Sequence, residues 1–281
     1  MKLYLRTDLA LAWQGEEPFQ RAASQPGNIY RAREGRRTLQ FEINHRSYFL
    51  KYHAGIGWRE IFKNLSQGKW PVLGAMQEVR AIQRVAQAGL DTMTIAGYGE
   101  RGWNPARRES FIVTDDLRDT VSLEEWGDQW YRTPGAPRVK WAMIRRVAAI
   151  ARRMHEAGVN HRDFYLGHFL MERAALAAAD ADAPIYLIDL HRSQVRGKVP
   201  LRWRVKDLGG LYFSTARLGL TRRDILRFLR VYGDRPLREY LRENGDMLAR
   251  CKREGEKIYR RYFEIEPAFP LQFCEHPGKD I

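Results

Sequence analysis

The chain has 281 residues, 44% of them apolar and 12% aromatic, with 48 Lys+Arg against 34 Asp+Glu for a formal net charge of +14. That apolar supply supports a buried core and excludes a disordered tail protein, and the size fits one large domain or a two-lobed one. Cys251 and Cys274 cannot staple a domain this large, no stretch approaches the roughly 20 apolar residues that span a bilayer, and Arg6 and Asp8 interrupt any leader-like core near the start. A reducing cytosol is the expected setting.

After a short N-terminal segment, RTLQFEI alternates Leu39, Phe41 and Ile43 with Gln40 and Glu42, the pattern of a half-buried strand. NIYRAR before it and SYFLKYH after it have similar lengths, and turns at Glu34–Gly35 and Asn44–His45 predict three antiparallel strands. Trp58, Ile61, Phe62 and Leu65 then form a stripe at helical spacing beside Arg59, Lys63 and Lys69. Such a stripe either packs on its own lobe, the more frequent outcome, or dips into a membrane interface. Met76, Val79, Ile82 and Val85 predict a helix that Gly89 caps, and MTIAGYG and SFIVTDD read as two more strands. After Trp141, the residues Ile144, Val147, Ala148, Ala151 and Met154 recur at i, i+3, i+4, i+7 and i+10 and mark an amphipathic helix ending at Gly158. Beyond it the chain reads as mainly helical, apart from IYLIDL, with an Ala-rich surface insertion at 174–184 and a capping box at Thr221 and Asp224.

Four polar residues occupy informative places in that order: Lys51 in the third strand, Glu78 in the helix after it, Asp163 in NHRDFYLGHFL, and Asp189 at the end of the apolar run IYLIDL. Singly, each is more often a solvated or turn residue. As an ordered set they resemble the protein kinase pattern of strand Lys, helix Glu, catalytic-loop Asp and metal-binding Asp. Phosphoryl transfer disperses negative charge over the moving group, so it needs cations and positioning more than covalent chemistry. Lys51 would hold the ATP phosphates with Glu78 fixing its ammonium, Asp189 would bind Mg²⁺, and Asp163 would orient an acceptor hydroxyl and take its proton.

The strings FLKYHAGIGWREIFKNL, WPVLGAMQEVRAIQR, AGVNHRDFYLGHFL and LIDLHRSQ make the chain similar to the lipopolysaccharide core heptose(I) kinases of Gram-negative bacteria, from about Tyr30 to Arg242. The resemblance implies an α+β, protein kinase-like fold with two lobes: residues 1–116, a small antiparallel β-rich lobe with one helix, and residues 117–281, a larger, mainly helical lobe. It implies ATP- and Mg²⁺-dependent phosphorylation of heptose I of the lipopolysaccharide inner core, at the cytoplasmic face of the inner membrane. By the same resemblance Asp207, which the sequence places at the start of a helix, supports the catalytic-loop backbone, His161 and Arg162 brace that loop, and adenine meets backbone near Thr114, Asp115 and Asp116.

The pattern departs from protein kinases in two places. The hairpin RAREGRR replaces a GxGxxG loop, leaving Arg33, Arg36 or Arg37 either as substitute phosphate contacts or as solvated charges. His168 stands five residues after Asp163, where protein kinases carry a metal-binding Asn. It either ligates a second ion or hydrogen-bonds within the loop.

Twenty cations and eight acids lie between Arg192 and Tyr262, a local excess of +12. Arg192, Arg196, Lys198, Arg202 and Arg204 sit where a kinase activation segment would, and suit the anionic inner core as acceptor. An acidic protein such as acyl carrier protein is a further expected partner for the Arg-rich surface. No nucleic-acid motif accompanies the charge. The rival readings are a protein kinase, disfavoured by Tyr165 and Gly167 in the catalytic loop, a kinase for another core sugar such as Kdo, and a non-catalytic kinase-fold module.

Overall fold

Strands form where apolar and polar residues alternate, because alternation lets one face of a sheet be buried. In the computed structural model the first part of the chain forms β1 (Lys2–Leu5), α1 (Thr7–Ala12), α2 (Pro18–Ser24), β2 (Asn28–Arg33), β3 (Arg36–Ile43), β4 (Arg46–His53), α3 (Gly57–Ser66), α4 (Met76–Gln87), β5 (Ile95–Arg101) and β6 (Glu109–Asp115). The structure describes residues 1–33, 35–55, 57–66, 74–178, 180 and 183–270, with the side chains of Arg33, Glu60, Asn64 and Leu65 left out. The readings placed on Glu34, Lys69, Cys274, part of the Ala-rich insertion, and the side chains of Arg33 and Leu65 therefore lie outside the described residues.

The six strands form one antiparallel sheet in the order β1-β5-β6-β4-β3-β2. The three expected strands are present, and Asn44 and His45 both take positive φ in the two-residue turn between β3 and β4. Gly35 turns the preceding hairpin at φ 72°, and a Cβ there would lie 2.7 Å from the Gly55 carbonyl oxygen, so only glycine fits. The N-terminal segment does more than its sequence suggests. β1 pairs with β5, while Leu9 of α1, Trp13 directly after it, and Phe19 and Ala22 of α2 are buried with Leu39, Leu50, Phe111 and Val113. Phe19 meets Phe111 edge-on at 5.3 Å. In α3, Ile61 is buried whereas Trp58 and Phe62 are 50% and 63% exposed.

The remaining chain forms β7 (Thr120–Ser122), α5 (Leu123–Arg132), α6 (Pro137–Glu156), β8 (Val159–Asn160), β9 (Phe169–Glu172), α7 (Arg173–Ala177), β10 (Tyr186–Leu187), β11 (Gln194–Val195), α8 (Leu201–Ser214), α9 (Arg222–Gly233) and α10 (Leu237–Phe263). Strands β10, β9 and β7 make one small sheet and β11 and β8 another, so this part holds more strand than IYLIDL alone. The capping box forms at Thr221 and Asp224; Asp224 is buried and also receives Lys140 at 3.0 Å and Arg227 at 2.7 Å. Gly158, at φ 78°, follows α6 as expected. The chain divides into two compact units, one made of 1–83, 93–118 and 189–192, the other of 84–92, 119–188 and 193–281.

Candidate functional site

Lys51 lies on β4, inside the sheet between Thr38 of β3 and Ile112 of β6, so its backbone is fixed on both sides. Its Nζ is 2.7 Å from Oε1 of Glu78 in α4 and 3.3 Å from Oδ1 of Asp189. Glu78 is only 2% exposed. Burial alone would lower the Lys51 pKa; the charges and hydrogen bonds of Glu78 and Asp189 outweigh it and raise the pKa, which keeps the ammonium charged. Asp189 adopts φ 57°, a left-handed turn before the short 3₁₀ segment Leu190–Arg192, and its Oδ1 also receives the Nδ1–H of His191 at 2.7 Å. A carboxylate only accepts, so that contact places the His191 proton on Nδ1. Sequence reasoning did not single out His191; its place two residues after Asp189 was the available signal.

His53 is a second residue that reading overlooked. It lies two positions after Lys51 on the same face of β4, opposite Arg36 in register. It is buried, Nδ1 has no hydrogen-bond partner among the described residues, and burial followed by the charges of Arg36, Lys51 and His191 pushes its pKa down to about 3. Arg37 instead donates to the carbonyls of Ala23 and Gln25, both at 2.8 Å, which ties the hairpin to α2. At the end of β6, the amide of Asp115 donates to Thr94 O and that of Asp116 to Ser47 O, while the Asp115 carboxylate is gripped by Arg6 at 2.6 and 2.8 Å. Thr114 is buried. Any ligand contact with the Asp115 or Asp116 backbone therefore falls to carbonyl oxygens.

In the other unit, the loop after β8 carries Asp163. Asp207 anchors that loop: its carboxylate accepts the amides of His161 and Arg162, each at 2.8 Å, and His155 Nε2 at 3.2 Å, and it is 1% exposed. These bonds hold Arg162 at φ 76°, a conformation that side-chain-bearing residues rarely adopt. Asp207 is the seventh residue of α8, not near a helix start as its sequence suggests, because Pro200 serves as N-cap and the helix begins at Leu201. The Tyr232 hydroxyl lies 2.8 Å from His155 Nδ1 and extends the network. His168 Nδ1 is 2.7 Å from the Asp163 carbonyl oxygen, which only accepts, so Nδ1 carries a proton and donates it within the loop. His161 Nε2 contacts Ile188 O at 2.9 Å and its ring stacks on His168 with centroids 5.5 Å apart. Among the described residues no three His, Cys, Asp or Glu side chains cluster as a metal cage.

The cationic strip divides. Arg192 belongs to the first unit. Arg196 donates to Asn160 and Gln194, and Arg204 turns inward to the Tyr232 hydroxyl at 3.3 Å. Lys198 and Arg202 are exposed. The second unit holds an apolar cavity of about 330 Å³, lined by Trp126, Met143, Leu208, Leu211, Phe228 and Phe269 among others. No helix among the described residues is long and apolar enough to cross a membrane.

Residues 20–232 match the sequence model of the lipopolysaccharide kinase (Kdo/WaaP) family. The chain is 51% identical over 261 residues to the lipopolysaccharide core heptose(I) kinase WaaP of Pseudomonas aeruginosa, covering 93% of this chain and 97% of that protein. It is 47% identical over 257 residues to the same-named kinase of Escherichia coli strain K12, covering 92% and 97%. A solved structure of WaaP in complex with acyl carrier protein superposes with a TM-score of 0.81 at 46% identity, covering 92% of this chain and all of that one.

Proposed function

Because the chain belongs to the lipopolysaccharide kinase (Kdo/WaaP) family, and is therefore a phosphotransferase acting on a sugar hydroxyl, we propose that it transfers the γ-phosphoryl group of ATP to heptose I of the lipopolysaccharide inner core. The observation that carries this reading is the Lys51–Glu78–Asp189 cluster, an ion pair to a buried glutamate whose ammonium is also shared with a second carboxylate. It suits a protein kinase-like fold with a nucleotide-binding lobe at 1–116 and an acceptor lobe at 117–281.

In this reading the Lys51 ammonium, held by Glu78, neutralises the nucleotide phosphates, and Arg36 and His53 stand on the neighbouring strand positions. Asp189 would hold Mg²⁺, a hard cation that takes carboxylate and phosphate oxygens and offsets the charge of the transferring group. His168 is the candidate ligand for a second ion. Asp163 orients the acceptor hydroxyl and takes its proton, on a loop kept in place by Asp207, His161 and Arg162. Adenine meets the carbonyl side of Thr114, Asp115 and Asp116. Arg192, Arg196, Lys198, Arg202 and Arg204 supply positive potential for an anionic acceptor.

Trp58 and Phe62, whose rings stack at 5.9 Å on the exposed side of α3, support peripheral contact with the cytoplasmic face of the inner membrane. The relative solved with acyl carrier protein supports the same partner here, and the apolar cavity is a suitable berth for an acyl chain. The deciding test is incubation with ATP, Mg²⁺ and lipopolysaccharide lacking core phosphate, followed by mass spectrometry of the sugars. Phosphate gained on heptose supports the proposal; phosphate gained only on Kdo assigns the chain to the other acceptor in the family's description, and no transfer overturns both.

A further inference from the structure

Three cations converge on one indole beside the proposed base. Arg162 Cζ and Arg202 Cζ each lie 5.1 Å from the Trp203 ring centroid, and Lys206 Nζ lies 5.4 Å from it. A ring face attracts cations through its quadrupole, so the indole gathers charges that would otherwise repel one another. Arg202 and Lys206 are four residues apart and therefore share one side of α8, and both are exposed. Neither has a carboxylate within ion-pair distance among the described residues, and the first turn of α8 holds no acid. The carboxylate that comes nearest in sequence, Asp207, is buried and committed to the backbone of His161 and Arg162. Trp203 Nε1 is buried with no hydrogen-bond partner among the described residues.

We infer that Arg162, Arg202 and Lys206, arranged around Trp203, form a binding subsite for an oxyanion carried by the acceptor, the carboxylate of an acidic sugar or a phosphate ester. The inference rests on the kinase reading for its placement: Arg162 directly precedes Asp163, and the Asp207 bond to its amide fixes its backbone, so the oxyanion is held within about one sugar residue of the hydroxyl being phosphorylated. A guanidinium pairs with either oxyanion through two parallel N–H bonds, and a lysine adds a point charge. The subsite selects the acceptor and leaves ATP binding untouched. It also differs from the strip read off the sequence: Arg196 and Arg204 turn donors to Asn160 and Tyr232, and Lys206 and Arg162 join Arg202 at Trp203.

The test compares wild type with the double variant Arg202→Gln/Lys206→Gln and with the charge-preserving Arg202→Lys/Lys206→Arg, using lipopolysaccharide that is intact, carboxyl-reduced, or dephosphorylated. Losing two charge-assisted contacts raises the acceptor KM of the Gln variant roughly 10- to 100-fold, with the ATP KM within about twofold of wild type, and the charge-preserving variant recovers most of the loss. The gap between wild type and the Gln variant closes on whichever stripped acceptor lacks the recognised group, which tells carboxylate from phosphate. An unchanged acceptor KM in the Gln variant, or a gap that survives removal of both groups, overturns the subsite. Equilibrium binding of the same acceptors without ATP reads the subsite even where heptose proves not to be the phosphorylated sugar, so failure of the kinase assignment remains distinguishable from failure of the subsite.

Discussion

Asp207→Asn is the sharpest probe of how the Asp163 loop is held. The carboxylate serves three donors, the His161 amide and His155 ring on Oδ2 and the Arg162 amide on Oδ1. Asparagine keeps the shape but exchanges one oxygen for an NH₂, and the less costly rotamer turns that NH₂ toward the single donor, Arg162. One buried N–H then faces another donor, at about 1–3 kcal/mol, and two remaining bonds lose charge assistance at about 1 kcal/mol each. The total of about 3–5 kcal/mol is a large part of the roughly 5–15 kcal/mol by which a protein is stable. Because Arg162 sits at φ 76°, the loss falls first on the loop. Hydrogen exchange of the Arg162 amide should accelerate at least about a hundredfold, and the urea midpoint should drop by roughly 1.5–2.5 M at an m-value near 2 kcal/mol/M. Arg162 protection within threefold of wild type, with an unmoved midpoint, would refute the anchoring argument.

Other consequences can be measured separately. Asp163→Asn should lose about 10²- to 10⁴-fold in turnover while ATP affinity by calorimetry is retained; near-normal transfer removes Asp163 as base. Trp58→Ser/Phe62→Ser should lower flotation with anionic vesicles several-fold while circular dichroism stays unchanged, since both side chains are exposed and Ile61 still anchors α3; equal flotation assigns the membrane contact elsewhere. His53, neutral in the fold with its pKa pushed to about 3, titrates near 6.5 once unfolded. The unfolded chain then binds more protons, so His53 costs stability as pH falls from about 6.5 toward 3, reaching about 2 kcal/mol at pH 5. His53→Gln should flatten the fall of the unfolding midpoint between pH 7 and pH 5, and parallel slopes would trace the dependence to other groups.

What the sequence made legible follows a physical divide. Alternation and helical spacing gave the three hairpin strands, α4, β5, β6 and the helix ending at Gly158, because each is set by which residues of one local stretch must be buried. The Lys51–Glu78–Asp189 cluster was legible through its order along the chain, and the structure places those three together. The N-terminal helices were missed because Arg6 and Asp8 break the apolar pattern. Those two residues are engaged with each other and with Asp115 and Tyr48, contacts set by tertiary structure. His53, His191 and the His155–Tyr232 network were missed for the same reason: an isolated histidine acquires meaning only from the groups placed against it.

Charge shows the same divide most clearly in α8. By sequence, Arg202 and Arg204 are equivalent members of a basic strip that leaves out Lys206. On a helix, steps of four residues return to the same side and a step of two crosses to the opposite one, so Arg204 faces Tyr232 while Arg202 and Lys206 meet at Trp203. That arrangement works against helix stability twice. Like charges at i and i+4 repel by about 0.2–0.5 kcal/mol, and cations near a helix N-terminus oppose its dipole by about 0.3–1 kcal/mol. An acid in the first turn would relieve both, yet α8 has none there. An oxyanion supplied by the acceptor relieves both only while it is bound, so the strain that weakens the free helix becomes selectivity for an anionic substrate.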